Sequence, residues 1–554
     1  MRGRHVFMQS LVKHGVRHIF GNPGTTESPL IDSLPEYPQI DYVVALHEGV
    51  ALGAASFYAQ ATGRTGVVNV HVAPGLGNAL GMLYSALKAS SPMVVTAGQQ
   101  DTRMRLRDPL LGHDLVAMAA PVTKWSVQAE RADELGPLLR RAFKIANDPP
   151  AGPVFVALPI DVMEQETDID AIGPGTLYRA GRPDPDGVTD VARLLLASRA
   201  PVIVAGDDVA RAGANDALVA LAERIGAPVW VEGLRHQLSF PSTHPSARGA
   251  VPFDAAAIRK ALGGADLVLL AGGPFFEDVW YAAGDPFPDG AVVVQLEESP
   301  QRLAYNYAPQ AGLVGQLQHT LRAVHDSVGA SADDSYRTAA ARRNAALKAA
   351  KDDETASYQA RVQKAWNRLP MSMARAMSEI RAAVPANTVV VDESITANID
   401  LARAFEFSKA GDYYSGRGGG IGQGLAGAIG AKVAHPDRVV VAVSGDGSAM
   451  YSIQALWTAA HHKLAIVFVI LANREYRVLK HNLDVYRQRF GELMNHPYPH
   501  MDLTQPGLGF VDMARGMGVA GTAVTNPDDL RAAIARAVAS GEPHLVEVAI
   551  EGKR

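Results

Sequence analysis

The chain has 554 residues, a formal net charge of −5, 47% hydrophobic and 20% charged residues, and no cysteine. This length predicts about three to four domains, and the composition is that of a globular protein. A slightly acidic chain gives no sign of nucleic-acid binding, and no apolar run approaches the length of about 18 residues that a membrane helix needs. The lack of cysteine excludes disulfides, thiolate catalysis and cysteine-ligated metal centres. No apolar signal core follows residues 1–5, so we expect a cytoplasmic location.

The first 170 residues alternate between strand-like and helix-like segments. Residues 65–72 and 92–97 are apolar and rich in valine, as buried strands are, whereas 50–61 and 77–89 are rich in alanine and leucine, as helices are. This alternation predicts a doubly wound α/β domain. The stretch from there to about residue 190 is rich in Gly, Pro and Asp and is predicted to be a linker.

Two further runs of strand-like segments lie at residues 190–325 and 371–554. The apolar segments of the first of these runs are 201–205, 228–231, 267–271 and 291–294. Residues 326–370 between the runs carry Arg and Lys interleaved with acids, which indicates a solvated helical connector. We therefore predict an α/β fold with three doubly wound parallel-sheet domains, at 1–170, 190–325 and 371–554.

The sequence Gly-Asp-Gly at residues 445–447 follows a buried apolar run, and residues 448–460 after it are predicted to form a helix. A second apolar run leads to Asn473, after 25 intervening residues. Two neighbouring strand ends would then present a carboxylate and an amide oxygen, which suit Mg²⁺, beside a helix start, which suits a phosphate. A magnesium ion that bridges the protein and a diphosphate is the economical interpretation. The alternative is an ordinary strand, tight turn and helix.

A dinucleotide site is the main rival interpretation of this region. Residues 422–427 match the fingerprint G-x-G-x-x-G, and an acid, Asp446, lies about 20 residues further on. However, the preceding residues 415–420 are rich in glycine and make a poor hydrophobic strand. The rival interpretation also leaves Glu48 and His71 without a role.

Several spaced segments in the same order resemble those of thiamine diphosphate enzymes. The similarity is closest to benzoylformate decarboxylases and looser to the acetolactate synthase large-subunit group. The segments that carry it are Phe-Gly-Asn-Pro-Gly at 20–24, Leu-His-Glu at 46–48, and the stretches 69–78, 96–100 and 445–460. The resemblance implies the fold of thiamine diphosphate decarboxylases, with a pyrimidine-binding, a middle and a diphosphate-binding domain.

The resemblance also implies which residues bind thiamine diphosphate and Mg²⁺. Glu48 would share a proton with a ring nitrogen of the aminopyrimidine, a role that a raised pKa in an apolar pocket would favour. Taken alone, Glu48 would be a solvated carboxylate at a helix start. The implied magnesium ligands are Asp446, Asn473 and the backbone carbonyl of Glu475. The other implied cofactor contacts are Ser394, Thr396, Gly419, Ile421, Gly445, Gly447, Ser448, Tyr451 and Tyr476.

By the same resemblance, His71 aligns with a catalytic histidine of benzoylformate decarboxylases and would transfer protons. A lone histidine at a strand end is otherwise a structural hydrogen-bonding residue. Thr25 takes the position of an active-site serine, so a hydroxyl is retained in a narrower pocket. Asn78, Gln100 and His113 are candidates for the substrate pocket.

The chain departs from that family at two places. The window that would hold a second catalytic histidine has none, and Val279 falls near its position. His113 is a candidate replacement for the missing proton donor. Charged residues also replace small ones after the metal loop, at 474–477, and Arg is frequent in 103–107. If these charges line the cleft, they favour a larger or more anionic acyl donor.

The implied activity is the non-oxidative decarboxylation of a 2-oxo acid to an aldehyde and CO₂. The alternative is a carboligase or lyase of the acetolactate synthase or 2-hydroxyacyl-CoA lyase kind. A third possibility, a cofactor-binding protein without catalysis, is disfavoured by the retained Glu48, Asp446 and Asn473. The resemblance implies a homodimer or homotetramer that acts on a small 2-oxo acid or acyl donor, with no nucleic acid or membrane partner.

Overall fold

The computed structural model describes residues 1–177, 180–491 and 496–552. The chain divides into two units. The first comprises Met1–Leu177, Trp366–Leu401 and Ser415–Arg554, and the second comprises Tyr178–Ala365 and Ala402–Tyr414.

The N-terminal part of the first unit is built on a six-stranded parallel sheet with the order β2-β1-β3-β4-β6-β5. Its strands are β1 (His18–Gly21), β2 (Asp41–Val44), β3 (Gly66–Val70), β4 (Met93–Gln99), β5 (Trp125–Gln128) and β6 (Pro153–Pro159). Its helices are α1 (Gly3–Lys13), α2 (Ser28–Ser33), α3 (Glu48–Thr62), α4 (Val72–Lys88), α5 (Leu115–Ala119), α6 (Leu135–Asn147) and α7 (Ile160–Glu164). Strands β3, β4 and β6 are buried along their whole length, as expected of central strands covered by helices on both faces.

The second unit contains a second six-stranded parallel sheet with the order β12-β11-β10-β7-β8-β9. Its strands are β7 (Pro201–Ala205), β8 (Val229–Val231), β9 (Ala247–Ala250), β10 (Leu267–Ala271), β11 (Val292–Glu297) and β12 (Ala311–Val314). Its helices are α8 (Pro185–Ala197), α9 (Asp207–Arg211), α10 (Asn215–Ile225), α11 (Ala255–Ala261), α12 (Leu317–Ser331) and α13 (Asp334–Lys364). The 31-residue α13 occupies most of the segment that the charge pattern predicts to be a helical connector.

A third sheet, in the C-terminal part of the chain, has the order β14-β13-β15-β16-β18-β17. Its strands are β13 (Val389–Glu393), β14 (Tyr413–Ser415), β15 (Val440–Gly445), β16 (Ile466–Ala472), β17 (Ala520–Val524) and β18 (His544–Ala549). The helices are α14 (Met373–Ala383), α15 (Asn398–Ala404), α16 (Gln423–Ala434), α17 (Asp446–Ala449), α18 (Ala455–His461), α19 (Arg477–Phe490), α20 (Phe510–Gly516) and α21 (Leu530–Ala539).

The predicted fold class, an α/β chain with three doubly wound parallel sheets, is confirmed. The single helix predicted over residues 448–460 is wrong, because α17 ends at Ala449 and α18 begins at Ala455. Between them the amides of Tyr451 and Ser452 bind carbonyls three residues back, so the chain turns more tightly than an α-helix. None of the helices in the described residues is both long and apolar enough to span a bilayer.

Each sheet has a switch point, at which the chain continues from one strand toward either side of the sheet. These switch points lie between β1 and β3, between β7 and β10, and between β13 and β15. Ligands of open α/β sheets bind outside the carboxyl ends of the strands at such switch points. The residues that follow these six strands are therefore the first place to look for a site.

Candidate active site

The switch point of the first sheet holds Glu48, which begins α3 and is buried. Asn22 Nδ2 donates a hydrogen bond to Glu48 Oε1 at 3.3 Å, and Asn78 Nδ2 donates to Oε2 at 3.0 Å. Asn78, predicted to line a substrate pocket, thus contacts this carboxylate directly. Two side-chain amides therefore hold the carboxylate. Glu48 is therefore a fixed, buried acid rather than a solvated residue at a helix start.

His71 follows β3 at the same switch point and contacts a second buried acid. His71 Nδ1 lies 2.6 Å from Oε2 of Glu27, whose side chain is 1% exposed, while the histidine side chain is 23% exposed. Thr26 Oγ1 lies 3.3 Å from the same ring nitrogen. Glu27 is not among the site residues predicted from the sequence. The sequence feature that could have indicated it is a second acid in the loop that also contains Asn22.

The other predicted residues of this domain lie nearer the surface. Thr25 is exposed, and its carbonyl accepts a hydrogen bond from the Ser28 hydroxyl. The Gln100 side chain donates to the Leu110 carbonyl at 2.7 Å, so it holds a loop. His113 is exposed in that loop. The structure therefore places Glu48, His71 and Asn78 near the carboxyl ends of the strands of the first sheet. The functions of Thr25, Gln100 and His113 stay predictions.

The third sheet brings the two predicted metal-binding side chains to adjacent strand ends. Asp446 is buried after β15, and its two oxygens accept hydrogen bonds from the amides of Gly447 (2.8 Å) and Arg474 (2.6 Å). Burial raises the pKa of the Asp446 carboxyl. Asn473 follows β16, and its Oδ1 accepts a hydrogen bond from the Glu475 amide at 3.0 Å. The Arg474 amide thus ties the two metal-binding positions together.

This arrangement fits a magnesium ion that is only partly coordinated by the protein. Each carboxylate and amide oxygen has two lone pairs, so Asp446 and Asn473 retain acceptor capacity beside their single backbone bonds. Within the described ranges, no cluster of three or more His, Asp or Glu residues could hold a metal by itself. The Glu475 carboxylate ion-pairs with Lys480 at 2.5 Å, which leaves only its backbone for the predicted metal contact. A magnesium ion here would need further oxygen ligands, as a diphosphate provides.

Backbone strain occurs beside three of the predicted site residues. Ten non-glycine residues of the described chain have a positive φ, and three of them, Val72, Ile395 and Arg474, directly follow predicted site residues. Their φ values are 40°, 52° and 60°. Such conformations cost of the order of 1–3 kcal/mol and tend to occur at functional sites, above all for β-branched residues. The strain is thus an independent indication that these loops are functional.

The predicted diphosphate contacts surround the end of β13 and the short helix α17. The buried Ser394 hydroxyl donates to Asp392 Oδ1 at 2.6 Å, so its proton is already engaged. Thr396 is half-buried in the following turn, and Ser448 is buried in α17. Because α17 has only four residues, a large helix dipole cannot contribute, and individual amides would hold a phosphate.

The aromatic residues predicted near the diphosphate differ in exposure. The Tyr476 ring packs directly over Gly447, since a Cβ atom there would lie 2.6 Å from Tyr476 Cε1. Tyr451 is exposed. Gly445, at the end of β15, is half-buried and joins the strand to Asp446.

The glycine loop before α16 contains the exposed Gly419 and the half-buried Ile421. The helix start that the dinucleotide interpretation needs is already occupied. Glu393 accepts hydrogen bonds from the amides of Gly422 (2.8 Å), Gln423 (2.9 Å) and Gly424 (2.9 Å). A pyrophosphate could bind these amides only by displacing a buried carboxylate, so the rival interpretation fails on physical grounds.

The charged residues after the metal loop make internal ion pairs. The Arg474 guanidinium contacts Glu547, and Lys480 contacts both Glu475 and Asp502 at 2.5 Å. In the other basic segment, Arg103 pairs with Asp101. The expectation that these charges attract an anionic substrate has no support from Arg474 and Lys480, because their charges are matched within the protein.

The chain matches family models at three separate regions. Residues 1–118 match the N-terminal, 188–324 the central and 394–548 the C-terminal domain of thiamine pyrophosphate enzymes, and both terminal domains are described as TPP binding domains. These regions contain β1–β4 of the first sheet, the whole second sheet, most of the third sheet and both candidate site loops.

The relatives and structural neighbours agree with this result. The chain is 34% identical to a benzoylformate decarboxylase from Pseudomonas aeruginosa over 97% of both chains. It is 27% identical to the large subunit of acetolactate synthase isozyme 3 from Escherichia coli, over 100% of this chain and 95% of the relative. A thiamine diphosphate-dependent 4-hydroxybenzoylformate decarboxylase from Rhodococcus jostii RHA1 superposes with a TM-score of 0.86 and 30% identity over the whole of both chains. A benzoylformate decarboxylase from Polynucleobacter necessarius gives a TM-score of 0.85 with 26% identity, covering 100% of this chain and 99% of the other. Sequence, fold and the acids at the two switch points therefore agree that this chain belongs to the thiamine pyrophosphate enzyme family.

Proposed function

We propose that this chain is a magnesium- and thiamine diphosphate-dependent lyase that decarboxylates a 2-oxo acid to an aldehyde and CO₂. The observation that carries the proposal is that a buried acid, Glu48, and a histidine, His71, follow the two strands that flank β1. The 34% identity to a benzoylformate decarboxylase supports the same reaction class. We also propose that the protein is located in the cytoplasm.

When bound, thiamine diphosphate supplies the carbon nucleophile and the electron sink that the loss of CO₂ requires. Glu48 would hold a ring nitrogen of the cofactor and could exchange a proton with it, and Asn22 and Asn78 keep the Glu48 carboxylate in place. His71 moves protons at the reacting carbon or oxygen, and the Thr25 hydroxyl lines the same cleft.

A second group of residues holds the cofactor and takes no part in proton transfer. Asp446, Asn473 and the Glu475 carbonyl would hold Mg²⁺, which would supply positive charge for the diphosphate. The other proposed contacts are those at Ser394, Thr396, Gly419, Ile421, Gly445, Gly447, Ser448, Tyr451 and Tyr476.

We further propose that the site is shared between two copies of the chain, in a homodimer or homotetramer. A Cβ atom at Gly420 would lie 2.3 Å from Ser85 Oγ, so the glycine loop meets α4 near its C-terminal end. His71 precedes the N-terminal end of that helix, about 20 Å away at 1.5 Å per residue. This separation favours a site in which the first domain of one copy faces the third domain of another.

A carboligase or acyl-CoA lyase is the second candidate. The position of the missing histidine is taken by Val279, which is exposed, so one proton donor of simple decarboxylases has no counterpart there. Slower protonation of the carbanion would leave time for attack on a second carbonyl. Similarity to acetolactate synthases over the full chain supports this alternative.

The test is the release of CO₂ with thiamine diphosphate and Mg²⁺ across aromatic, branched and linear 2-oxo acids, with identification of the products. A matching aldehyde would support the decarboxylase, and a 2-hydroxy ketone formed with an added aldehyde would support the carboligase. If the protein binds the cofactor tightly and releases no CO₂ from any of these acids, the decarboxylase proposal is wrong.

The Glu48→Gln variant tests the assigned acid. We expect kcat/KM to fall by about 10²–10⁴-fold, because the amide cannot exchange the proton, while cofactor binding is largely kept. Glu36→Gln, which changes an exposed acid of the same domain, is the matched control and should leave turnover unchanged. Unchanged turnover of Glu48→Gln would remove Glu48 from the mechanism.

A further inference from the structure

Glu27 is a buried acid that the proposed mechanism does not yet use. Its Oε2 lies 2.6 Å from His71 Nδ1. We propose that Glu27 is a positioning residue that holds His71 in the Nδ1–H tautomer and leaves Nε2 as the nitrogen that accepts and donates the proton. This inference rests on the proposed function, in which His71 transfers protons.

The hydrogen bonds to Glu27 determine its side of this contact. Oε1 accepts hydrogen bonds from the Gly98 amide at 2.8 Å and from the Thr26 hydroxyl at 2.9 Å. Oε2 accepts from the Gly24 amide at 2.8 Å. Because an amide N–H can only donate, both carboxylate oxygens act as acceptors. Two amides and a hydroxyl already donate to this carboxyl group, so it suits the acceptor role, and we place the hydrogen of the 2.6 Å contact on His71 Nδ1.

The backbone fixes both members of the pair. A Cβ atom at Gly98 would lie 2.2 Å from Glu27 Oε1, and a Cβ atom at Gly24 would lie 2.2 Å from His71 Nδ1. Real atoms do not approach so closely, so both positions must be glycine for the two amides to reach the carboxylate. The imidazole is thus held against the backbone and is not free to turn away from Glu27.

The exposure of the two side chains shows which edge of the ring is available. Glu27 is 1% exposed and His71 is 23% exposed, so the Nδ1 edge faces the interior. Nε2 lies on the opposite edge of the ring. The hydrogen bond made by one ring nitrogen sets the role of the other, and a third group commonly orients a catalytic base in this way.

The chemistry balances without any change in Glu27. Nε2 takes one proton, which makes the ring an imidazolium with both nitrogens protonated. The same proton later leaves from Nε2 to the reacting carbon or oxygen. The Nδ1–H bond to Glu27 is never broken, so the carboxylate provides a fixed countercharge to the cation.

The first experiment measures the tautomer itself and needs no turnover. The wild-type holoenzyme is labelled with ¹⁵N-histidine, and the His71 signals are identified by their absence in His71→Ala. We expect a protonated Nδ1 and an unprotonated Nε2 in the neutral ring, and we expect Glu27→Gln to lose this preference. A neutral His71 with its proton on Nε2 in the wild type would overturn the proposal, whether or not Glu27→Gln folds.

The second experiment is a double-mutant cycle in kcat/KM. We expect Glu27→Gln to lower kcat/KM by about 10²-fold, as loss of an orienting residue does, and to have no further effect when His71 is already Ala. Asp207→Asn in the second unit also changes a buried acid that binds backbone amides, and serves as the control for general destabilisation. Equal losses from Glu27→Gln in the two backgrounds would overturn the positioning role. A wild type that releases no CO₂ from any 2-oxo acid would instead overturn the proposed function, and the tautomer measurement would still stand.

Discussion

The second and third sheets have the same kind of switch point but use the acids there differently. After β7, Asp207 binds the His236 amide at 2.9 Å, and Asp208 pairs with Arg302 at 2.8 Å. After β15, Asp446 binds only two backbone amides through the hydrogen bonds described above, and it lies beside the strained metal loop. Topology supplies a crevice in both sheets. The difference is that Asp208 is already matched by an arginine of the protein, whereas Asp446 keeps acceptor capacity that a metal ion could use.

The largest effect is expected from Asp446→Ala, which tests the third sheet's side of this comparison. This variant removes the only carboxylate among the proposed magnesium ligands. Loss of a residue that merely supports a metal ligand lowers metal affinity by up to about 100-fold, so we expect cofactor retention to fall by more than that. Titration of thiamine diphosphate at fixed Mg²⁺ measures the effect. Full retention would remove Asp446 from the metal site.

The converse change, Asp208→Ala, should reduce stability and leave cofactor affinity unchanged. Asp208 is the shared partner of Arg211 and Arg302, so loss of this buried acid takes a negative charge away from two arginines, at a cost of about 3–5 kcal/mol in the free energy of unfolding. Chemical denaturation measures this cost as a change in the unfolding transition of the second unit. A weaker cofactor affinity in this variant would show that the second unit's crevice contributes to the site.

Glu393 allows a test by pH. Burial raises the pKa of Glu393 to about 7 from its ordinary value of 4.5, despite three amide hydrogen bonds that lower it and with a small further increase from Asp392. Between these pH values the folded state binds more protons than the unfolded state, so stability is lost as pH rises through the window. The cost is of the order of 3 kcal/mol. Glu393→Gln should therefore flatten the dependence of unfolding on pH between about 4.5 and 7, and an unchanged slope would show that the carboxyl stays ionised.

The smallest expected effect concerns the strain at Arg474. Arg474→Ala and Arg474→Gly both lose the contact with Glu547, but only glycine relieves the positive φ of 60°. We expect the glycine variant to be more stable than the alanine variant by about 1 kcal/mol. Equal thermal stability of the two variants would show that the loop carries no strain.

Much of the fold and part of the site could be predicted from the sequence. Apolar runs predicted the central strands, and their ends predicted Asp446 and Asn473 as neighbours, because a parallel sheet delivers such ends to one edge. Glu48 and His71 were predicted only through the resemblance to thiamine diphosphate enzymes. Glu27 could not be found in this way. Its role depends on the amide of Gly98, 71 residues away, and no local pattern encodes that contact.

The sequence was also a poor guide to charge. The ion pairs of Arg474 and Lys480 could not be predicted, because their partners Glu547 and Asp502 come from other segments of the chain. The predicted continuous helix over 448–460 failed for a different reason, since its composition suits a helix but the amides of Tyr451 and Ser452 form tight turns.

The glycine loop meets α4 near the end of the helix that is opposite His71. This separation bears on how activity depends on protein concentration. If the site needs two copies, specific activity will fall when the protein is diluted below the dissociation constant of its dimer, and it will recover on reconcentration. A chain with a self-contained site would keep the same activity per milligram at every dilution. In that case the length of one helix would make the catalyst's output depend on how much of it is present.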